Sequence, residues 1–551
     1  MSPPSEEETS NNAVSCFELL MQEALGSSGV IMKQACEPWP DIVEKSRNNA
    51  CSLAPSRSVL PMLVSKWSSS MGSILQAPSV RQSVIVVGSG LAGLSAASEL
   101  VAQNVPVVIL ERQAKPGGNS IKASSGINGV PTRFQTPGSD SVQDFHNDTV
   151  NSVGSNVMNT RTEARKRLIS TLTNSSASAI NWLVDNKGVD LSRVAQLGGH
   201  SHARTHRGAG QTPPGASIIN TLLNQLKTNS LVNIQLNTTV IKVLSSQDGV
   251  IGVESQQDGN VQTLHGPVVF ATGGFAGDST GALARYRPDL HCFPSTNDAL
   301  SGSQDLLSEV GAQLLDMDQV QVHPTGFVDP KDLLKTTKFL AAEALRGEGG
   351  IILRRGKRFV DELQTRKVVA EAITAQPPWM TETTKLWDIL LLLDEKTYQA
   401  TKSHVDFYLW KGLMQKTTVW ELEYSDAVLD TLEQYSDIVH GKGTDALGRK
   451  SFGAWALQEP KPDTVVYVGT VTPVVHYTMG GVLITPDAEV LDASGQPIDG
   501  LWAAGEITGG IHGANRMGGS SLLECVVFGL IAGRNAARYV ETKSDKRITS
   551  R

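Results

Sequence analysis

Short, unbroken apolar runs closed by glycine recur along this chain. Residues 83–87 are almost wholly β-branched, and a run without polar alternation predicts a strand buried on both faces of a parallel sheet. It leads directly into Gly88-Ser89-Gly90-Leu91-Ala92-Gly93, followed by small, helix-compatible residues over 94–100. A second run, 105–110, ends at Glu111. Much later, residues 267–270 form another apolar strand that runs into Ala271-Thr272-Gly273-Gly274, and residues 500–504 repeat the logic before Gly505-Glu506. Gly518-Gly519 opens a last helix predicted over about 520–540. The pattern predicts an α/β fold in which a split Rossmann-like domain begins and ends the chain around an inserted α+β capping domain.

The expected organisation is an extension over 1–79, nucleotide-binding segments over 80–322 and 471–541, a capping domain over 323–470, and a tail over 542–551. The extension opens with an acidic, polar stretch and is broken by Pro38, Pro40, Pro55 and Pro61. It reads as disordered or weakly docked, with one short amphipathic helix between Cys16 and Leu25. The aromatic positions Trp410, Trp420, Tyr424 and Tyr435 read as core packing of the cap. The loop over 441–452 reads as solvated, with Lys442, Arg449 and Lys450 in it.

Charge changes the picture only locally. The 551 residues carry a net charge of −7, with no basic run interleaved with aromatics, so a nucleic-acid partner is not expected. No apolar run is long enough to span a bilayer, and an integral membrane protein is not expected. The opening residues lack the basic character of a targeting segment; the cytoplasm is the expected compartment, with the mitochondrion as the alternative, and a monomer is expected. Five widely spaced cysteines form neither a haem-attachment motif nor an iron–sulfur pattern. No metal site is expected.

The first glycine cluster has the context that a dinucleotide fingerprint requires. Gly88 would permit the tight turn, Gly90 the approach of pyrophosphate, and Gly93 close helix packing, while the phosphates lie at the helix amide end through Leu91 and Ala92. Glu111 stands 23 positions after Gly88, near the roughly 20-residue spacing of a ribose-binding carboxylate. Arg112 follows, and then two hydroxyl-bearing loops, Gly117-Gly118-Asn119-Ser120 and Ala123-Ser124-Ser125-Gly126. They suit an extended dinucleotide, FAD, better than NAD alone. Judged by its neighbours only, Arg366 would form an ordinary surface ion pair with Asp361 or Glu362.

Together, residues 86–93, Gly117-Gly118-Asn119-Ser120, Ala203-Arg204-Thr205-His206-Arg207, His323-Pro324-Thr325, Glu343-Ala344-Leu345-Arg346-Gly347, residues 358–366, His476-Tyr477-Thr478-Met479-Gly480-Gly481 and residues 513–519 carry a resemblance. The chain resembles the soluble fumarate reductases, most of all the fungal type, within the FAD family that includes succinate dehydrogenase flavoprotein subunits and L-aspartate oxidase. The likeness covers about residues 82–541. It implies reduction of fumarate to succinate by hydride from flavin N5, with Arg366 as proton donor, Glu343 and Arg346 as its relay, and His323, His476 and Arg516 as the carboxylate clamp. It implies flavin contacts from Gly88, Gly90, Leu91, Ala92, Gly93, Glu111, Arg112, Asn119, Ser120, Ser125, Gly126, Thr272, Gly273, Gly274, Gly505, Glu506, Ser521 and Leu522, and reduced flavin as electron donor.

Three departures stand out. Ser120 occupies the place of the histidine that anchors flavin in membrane-bound relatives, so FAD is expected to be held without a covalent bond. Ala342 replaces a threonine before the relay glutamate. Ser301-Gly302-Ser303-Gln304-Asp305 lacks the usual Gly-Asp-Gly. Arg204, His206 and Arg207 could bond the flavin or support a loop, and Gly480 could allow close approach to the ring.

The chemistry suits these residue types. An arginine acid must be resupplied because its pKa exceeds about 12, and Glu343 and Arg346, three apart, share a helix face. Fixed donors aimed at developing charge are the largest catalytic term. Reduction of another short unsaturated acid, oxidation of an amino dicarboxylate, or a non-catalytic flavoprotein remain the rival readings.

Overall fold

The computed structural model describes residues 82–549 apart from 211, 381 and 382. The extension 1–79 with its expected helix, Cys16, Cys36, Cys51 and the final two residues lie outside the described residues. From Ala77 onward the chain forms one compact unit.

Its first sheet joins the two ends of the sequence. Strands Val84–Val87, Val107–Leu110, Val232–Gln235, Val268–Phe270 and Pro497–Ala503 run parallel, and Glu489–Leu491 adds an antiparallel edge. The order places Val84–Val87 between Val268–Phe270 and Val107–Leu110, with Val86 opposite Val269 on one side and Ile109 on the other. These central residues are buried, which is why their run shows no alternation.

Helices Leu91–Ala102 and Ser520–Thr549 pack on this sheet and on each other. A Cβ at Gly529 would sit 2.6 Å from the Ala92 carbonyl oxygen, and one at Gly533 2.5 Å from that of Ala96. Glycine there lets the backbones approach closely. The last helix thereby holds the nucleotide turn in place.

The second sheet is built on one long strand, Val465–Thr478, which pairs antiparallel with Val320–Phe327, Ile389–Leu393 and Gln415–Thr418. Ile351–Arg354 and Lys357–Arg358 complete it. Val320–Phe327 and Val465–Thr478 run unbroken through 322/323 and 470/471, the two junctions expected for the cap. Two apolar clusters, around Leu391 and around Leu392, cover its two faces.

Two expectations fail here. Tyr435 is buried, but Trp410, Trp420 and Tyr424 are 55%, 70% and 46% exposed. Helix Lys402–Lys411 buries Val405 and Tyr408, and a residue two positions after Tyr408 points the other way. Arg449 is buried rather than solvated: it donates to the Glu362 carboxylate at 3.0 Å and to the Arg346, Gly350 and Ser451 carbonyls at 2.8, 3.0 and 2.8 Å. Lys442 and Lys450 are exposed as expected.

Candidate active site

Alternation along Val320–Phe327 puts Gln321 and His323 on one face of a strand, before a bulge between His323 and Gly326. The imidazole of His323 is fully buried; its Nδ1 accepts from the Thr325 amide at 3.2 Å. That bond leaves Nε2 to carry the proton, and among the described residues this Nε2 has no partner. His476, on the neighbouring strand, meets Thr296 Oγ1 through Nδ1 at 2.8 Å, and the two rings lie 5.4 Å apart. Burial first, then the Arg366 cation, holds both imidazoles well below the usual histidine range. Both are therefore neutral at neutral pH, and His323 offers its Nε2–H as a donor.

Arg366 begins helix Arg366–Thr374, whose start is capped by Thr365. Its guanidinium is buried and donates through Nε to Glu343 Oε2 at 2.8 Å, with Nη2 on the same oxygen. The expected neighbours do not reach it: Glu362 pairs with Arg358 and Arg449, and Asp361 accepts from Leu363 and Gln364. Glu343 and Arg346 share the short helix Glu343–Gly347, with Arg346 Nη2 4.0 Å from Glu343 Oε1. Burial would raise the Glu343 carboxyl, but the Arg366 and Arg346 charges outweigh it and hold it below the ordinary value. Burial lowers Arg346.

Arg516 enters from the loop before the last helix. Its Nη2 donates to Gln321 Oε1 at 3.0 Å and Nη1 to the Met517 carbonyl at 3.3 Å, while the guanidinium stacks 4.3 Å above the Tyr477 ring. Its Nε has no partner among the described residues. Burial, followed by repulsion from Arg366, brings it down to about 10. Gln321 Oε1 also accepts from Arg366 Nη1 at 2.9 Å, so one amide oxygen ties the two cations together. Sequence reasoning missed Gln321; its place two residues before His323 on a strand was the available signal.

The cluster therefore assembles Arg346, Arg366 and Arg516 against Glu343, together with two neutral histidines. Two positive charges are left over. A buried charge excess of this size is costly unless an anion joins it, and a small dianion balances it.

The glycine turn fits a dinucleotide. Gly88 has φ +102°, and a Cβ at Gly93 would stand 2.0 Å from the Gly88 oxygen. Ser120 Oγ accepts from the Leu91 amide at 3.2 Å, at the mouth of the helix. Glu111 is buried at the strand end, taking the Ser89 amide at 3.0 Å and the Gln113 amide at 2.9 Å. Gly118 and Asn119 are exposed beside the turn, Thr272 Oγ1 and Ser124 Oγ are buried without partners among the described residues, and Ser125 and Gly126 lie next to the latter. Glu506 accepts from the Thr478 amide at 2.9 Å, against Gly274, and burial pushes it up to about 7. Gly273 and Gly505 hold φ +79° and +78°. Ser521 and Leu522 lie in the first turn of the last helix, and Arg112 reaches the Ser301 carbonyl at 2.6 Å, which ties it to the departing loop. These groups suit the phosphates, ribose and ring edges of FAD.

Arg204, His206 and Arg207 each bond within the protein, while Arg207 Nη1 is buried without a hydrogen-bond partner among the described residues. Arg204 is buried between Asp140, at 2.8 Å through Nε and Nη2, and Asp148 at 2.6 Å. His206 meets Thr132 at 2.7 Å and Arg207 pairs with Glu348 at 2.9 Å. Gly480 has a reason to be small within the protein itself: a Cβ there would lie 2.2 Å from the Asp316 carbonyl oxygen. Among the described residues no helix is long and apolar enough to cross a membrane.

Residues 83–522 match the FAD binding domain family. The chain is 44% identical over 481 residues to Fumarate reductase 1 of Saccharomyces cerevisiae, covering 82% of this chain and 98% of that protein. It is 39% identical to the fumarate reductase of Schizosaccharomyces pombe, over 82% of this chain and 89% of that protein. Among solved structures, the open conformation of a flavocytochrome c3 fumarate reductase superposes with a TM-score of 0.65 at 32% identity, over 84% of this chain and 79% of the other.

Proposed function

The chain belongs to the fumarate reductase flavoproteins with an FAD-binding domain, and from that premise we propose how its residues carry out the reaction. It is an FAD-dependent oxidoreductase acting on CH–CH bonds, and it reduces fumarate to succinate. The observation that carries the residue assignment is the pair of uncompensated positive charges around Gln321, beside two neutral imidazoles, of which His323 presents its Nε2–H.

Arg516 holds one carboxylate of the substrate, and the Nε2–H of His323 with the ring of His476 holds the other. Arg366, fixed by Glu343 and Gln321, presents an N–H to the alkene carbon and gives up that proton. Glu343 and Arg346 return it. Bound FAD supplies the hydride. Residues of the second sheet, over 323–470, act as the cap that closes on substrate and excludes water from the charged cluster.

FAD is held without a covalent bond, because Ser120 stands where a histidine would anchor it. Acid precipitation should therefore release all the flavin into the supernatant; flavin retained in the pellet would refute this. Reduced flavin is the electron donor, since the sequence carries neither a haem-attachment nor an iron–sulfur motif. The protein acts as a monomer in the cytoplasm, which gel filtration and cell fractionation test against a dimer and a mitochondrial location.

The deciding experiment is anaerobic reoxidation of the chemically reduced protein by fumarate, with urocanate, methacrylate and aspartate alongside. Fast reoxidation by fumarate alone is expected. No reoxidation by any of them would leave a non-catalytic flavoprotein.

A further inference from the structure

Arg516 is a buried cation whose charge is answered in an unusual way. Its hydrogen-bond acceptors are neutral, the Gln321 amide oxygen and the Met517 carbonyl. Arg366 repels it, while Glu506 and Glu343 draw on it only from beyond ion-pair reach. Among the described residues no carboxylate forms an ion pair with it. What lies against the guanidinium instead is an aromatic face, the Tyr477 ring at 4.3 Å. The negative face of an aromatic ring attracts a cation, and most strongly where water is excluded.

Tyr477 is itself tied to a charge. Its hydroxyl donates to Glu524 Oε2 at 2.7 Å, and that oxygen also accepts from His512 Nε2 at 3.1 Å. Thr508 Oγ1 lies 3.1 Å from the other carboxylate oxygen. Tyr477, Glu524 and His512 are all buried. Burial first, then Glu524, pushes the phenol well above its ordinary value, so it stays protonated and donates. A phenol that donates to a carboxylate is polarised by it, which deepens the negative face turned to Arg516. A carboxylate in the place of the ring would stabilise Arg516 more strongly, but it would occupy the donors and cancel the charge that a dianion needs. The ring covers one face of the guanidinium and leaves Nε, in the plane, without a partner among the described residues.

We propose that Tyr477 and Glu524 are positioning residues for substrate binding: the ring, polarised by the carboxylate behind it, holds the Arg516 guanidinium preformed and uncompensated for a substrate carboxylate. This rests on the reading of Arg516 as part of the carboxylate clamp. Glu524 thus contributes negative potential to the site without placing a negative group in it. Both residues act through Arg516.

The test uses the full chain loaded with FAD, in steady-state fumarate reduction. Tyr477→Phe keeps the ring and cuts its tie to Glu524. Trifluorophenylalanine at the same position keeps the shape of that ring and empties its negative face. Tyr477→Leu removes the ring, and Glu524→Gln keeps an acceptor while removing the charge. KM for fumarate should rise about threefold in Tyr477→Phe and Glu524→Gln, and about tenfold or more with the fluorinated ring and in Tyr477→Leu. In each case kcat should fall less than KM rises. Equal KM values for Tyr477→Phe and its fluorinated counterpart would overturn the proposal and leave Tyr477 as packing, because the two rings differ in charge distribution and hardly in volume. If Tyr477→Leu does not fold, that pair decides alone. Arg516→Met tests the underlying reading separately: it should abolish saturation by fumarate, and an unchanged KM there would remove Arg516 from the clamp.

Discussion

Arg366 and Glu343 face each other in the interior, Nε to Oε2 at 2.8 Å, with the arginine at the first position of its own helix. The amide end of a helix repels a cation, so the helix alone would not keep Arg366 there. Glu343 holds it. Arg366→Gln keeps a side chain of similar reach but loses the ionisable donor. Fumarate-dependent reoxidation of the reduced variant should fall by about 10²–10⁴, the range for loss of a positioned acid, while the flavin spectrum still reports fumarate binding. Equal stopped-flow rates in parent and variant would remove Arg366 from the chemistry.

Gln321 Oε1 is shared by Arg366 Nη1 and Arg516 Nη2, at 2.9 and 3.0 Å. Its Nε2 donates to the Arg516 carbonyl at 2.7 Å, so the amide has a fixed orientation. In Gln321→Met the two guanidiniums lose their common acceptor, and a hydrogen bond to a charged group contributes about 1.5–3 kcal/mol. Substrate must then order the clamp. Steady-state assays should show KM for fumarate raised about tenfold or more, in line with about 1.4 kcal/mol per decade, and kcat reduced less. A change confined to kcat would mean that Gln321 serves the acid rather than the clamp.

The nucleotide turn was legible because its constraints are local. Gly88, Gly93 and the β-branched strand before them are dictated by a few adjacent backbone atoms. Arg366 was legible as a candidate, but its neighbours alone pointed to Asp361 or Glu362; only the family resemblance pointed to Glu343, which arrives by tertiary packing 23 residues away. Arg449 shows the same limit. A basic residue among glycines reads as solvated until Glu362 and three carbonyls are known to surround it. Trp410 and Trp420 failed in the opposite sense, because helical spacing indicates a shared face and not which face is inward. Gln321 carried no motif at all.

Gly93 stands where a Cβ would lie 2.0 Å from the Gly88 carbonyl oxygen and 3.2 Å from Val86 Cγ1. The clash is with backbone, which cannot rotate aside. Gly93→Ala should push the helix Leu91–Ala102 off the strand at the cost of about 1–3 kcal/mol for overpacking, and it should weaken FAD retention. Thermal unfolding and flavin content after gel filtration measure the two effects together. Gly138→Ala is the control: its Cβ would meet nothing within 4 Å, though its φ of +77° carries backbone strain. Full FAD retention in Gly93→Ala would deny that close packing here shapes the cofactor turn.

His200 and His206 supply a pH dependence with a definite sign. Both are buried, and burial, joined for His200 by the Arg204 charge, lowers each from the usual 6.5 to about 4. Above pH 6.5 both are neutral in the folded and unfolded chain alike, and neither affects stability. Between 6.5 and about 4 the unfolded chain takes up protons that the folded chain refuses, so stability falls on acidification by up to about 1.4 kcal/mol per pH unit for each histidine. Glu506, raised to about 7 by burial, works the other way: it favours the fold at low pH and withdraws that support as pH rises from its unfolded value of 4.5. Over 4.5 to 6.5 it offsets one histidine, while His323 and His476, also held well below 6.5 by burial, add to the slope in the same direction as His200 and His206. His206→Gln removes one histidine, keeping a polar group near Thr132 and the Arg204 carbonyl, both now within 2.9 Å of the ring. Denaturant titrations of the parent should show stability declining from pH 6.5 to 5, and the decline should be shallower in the variant by up to about 1.4 kcal/mol per pH unit. An unchanged slope in His206→Gln would show that the imidazole takes up its proton inside the folded protein.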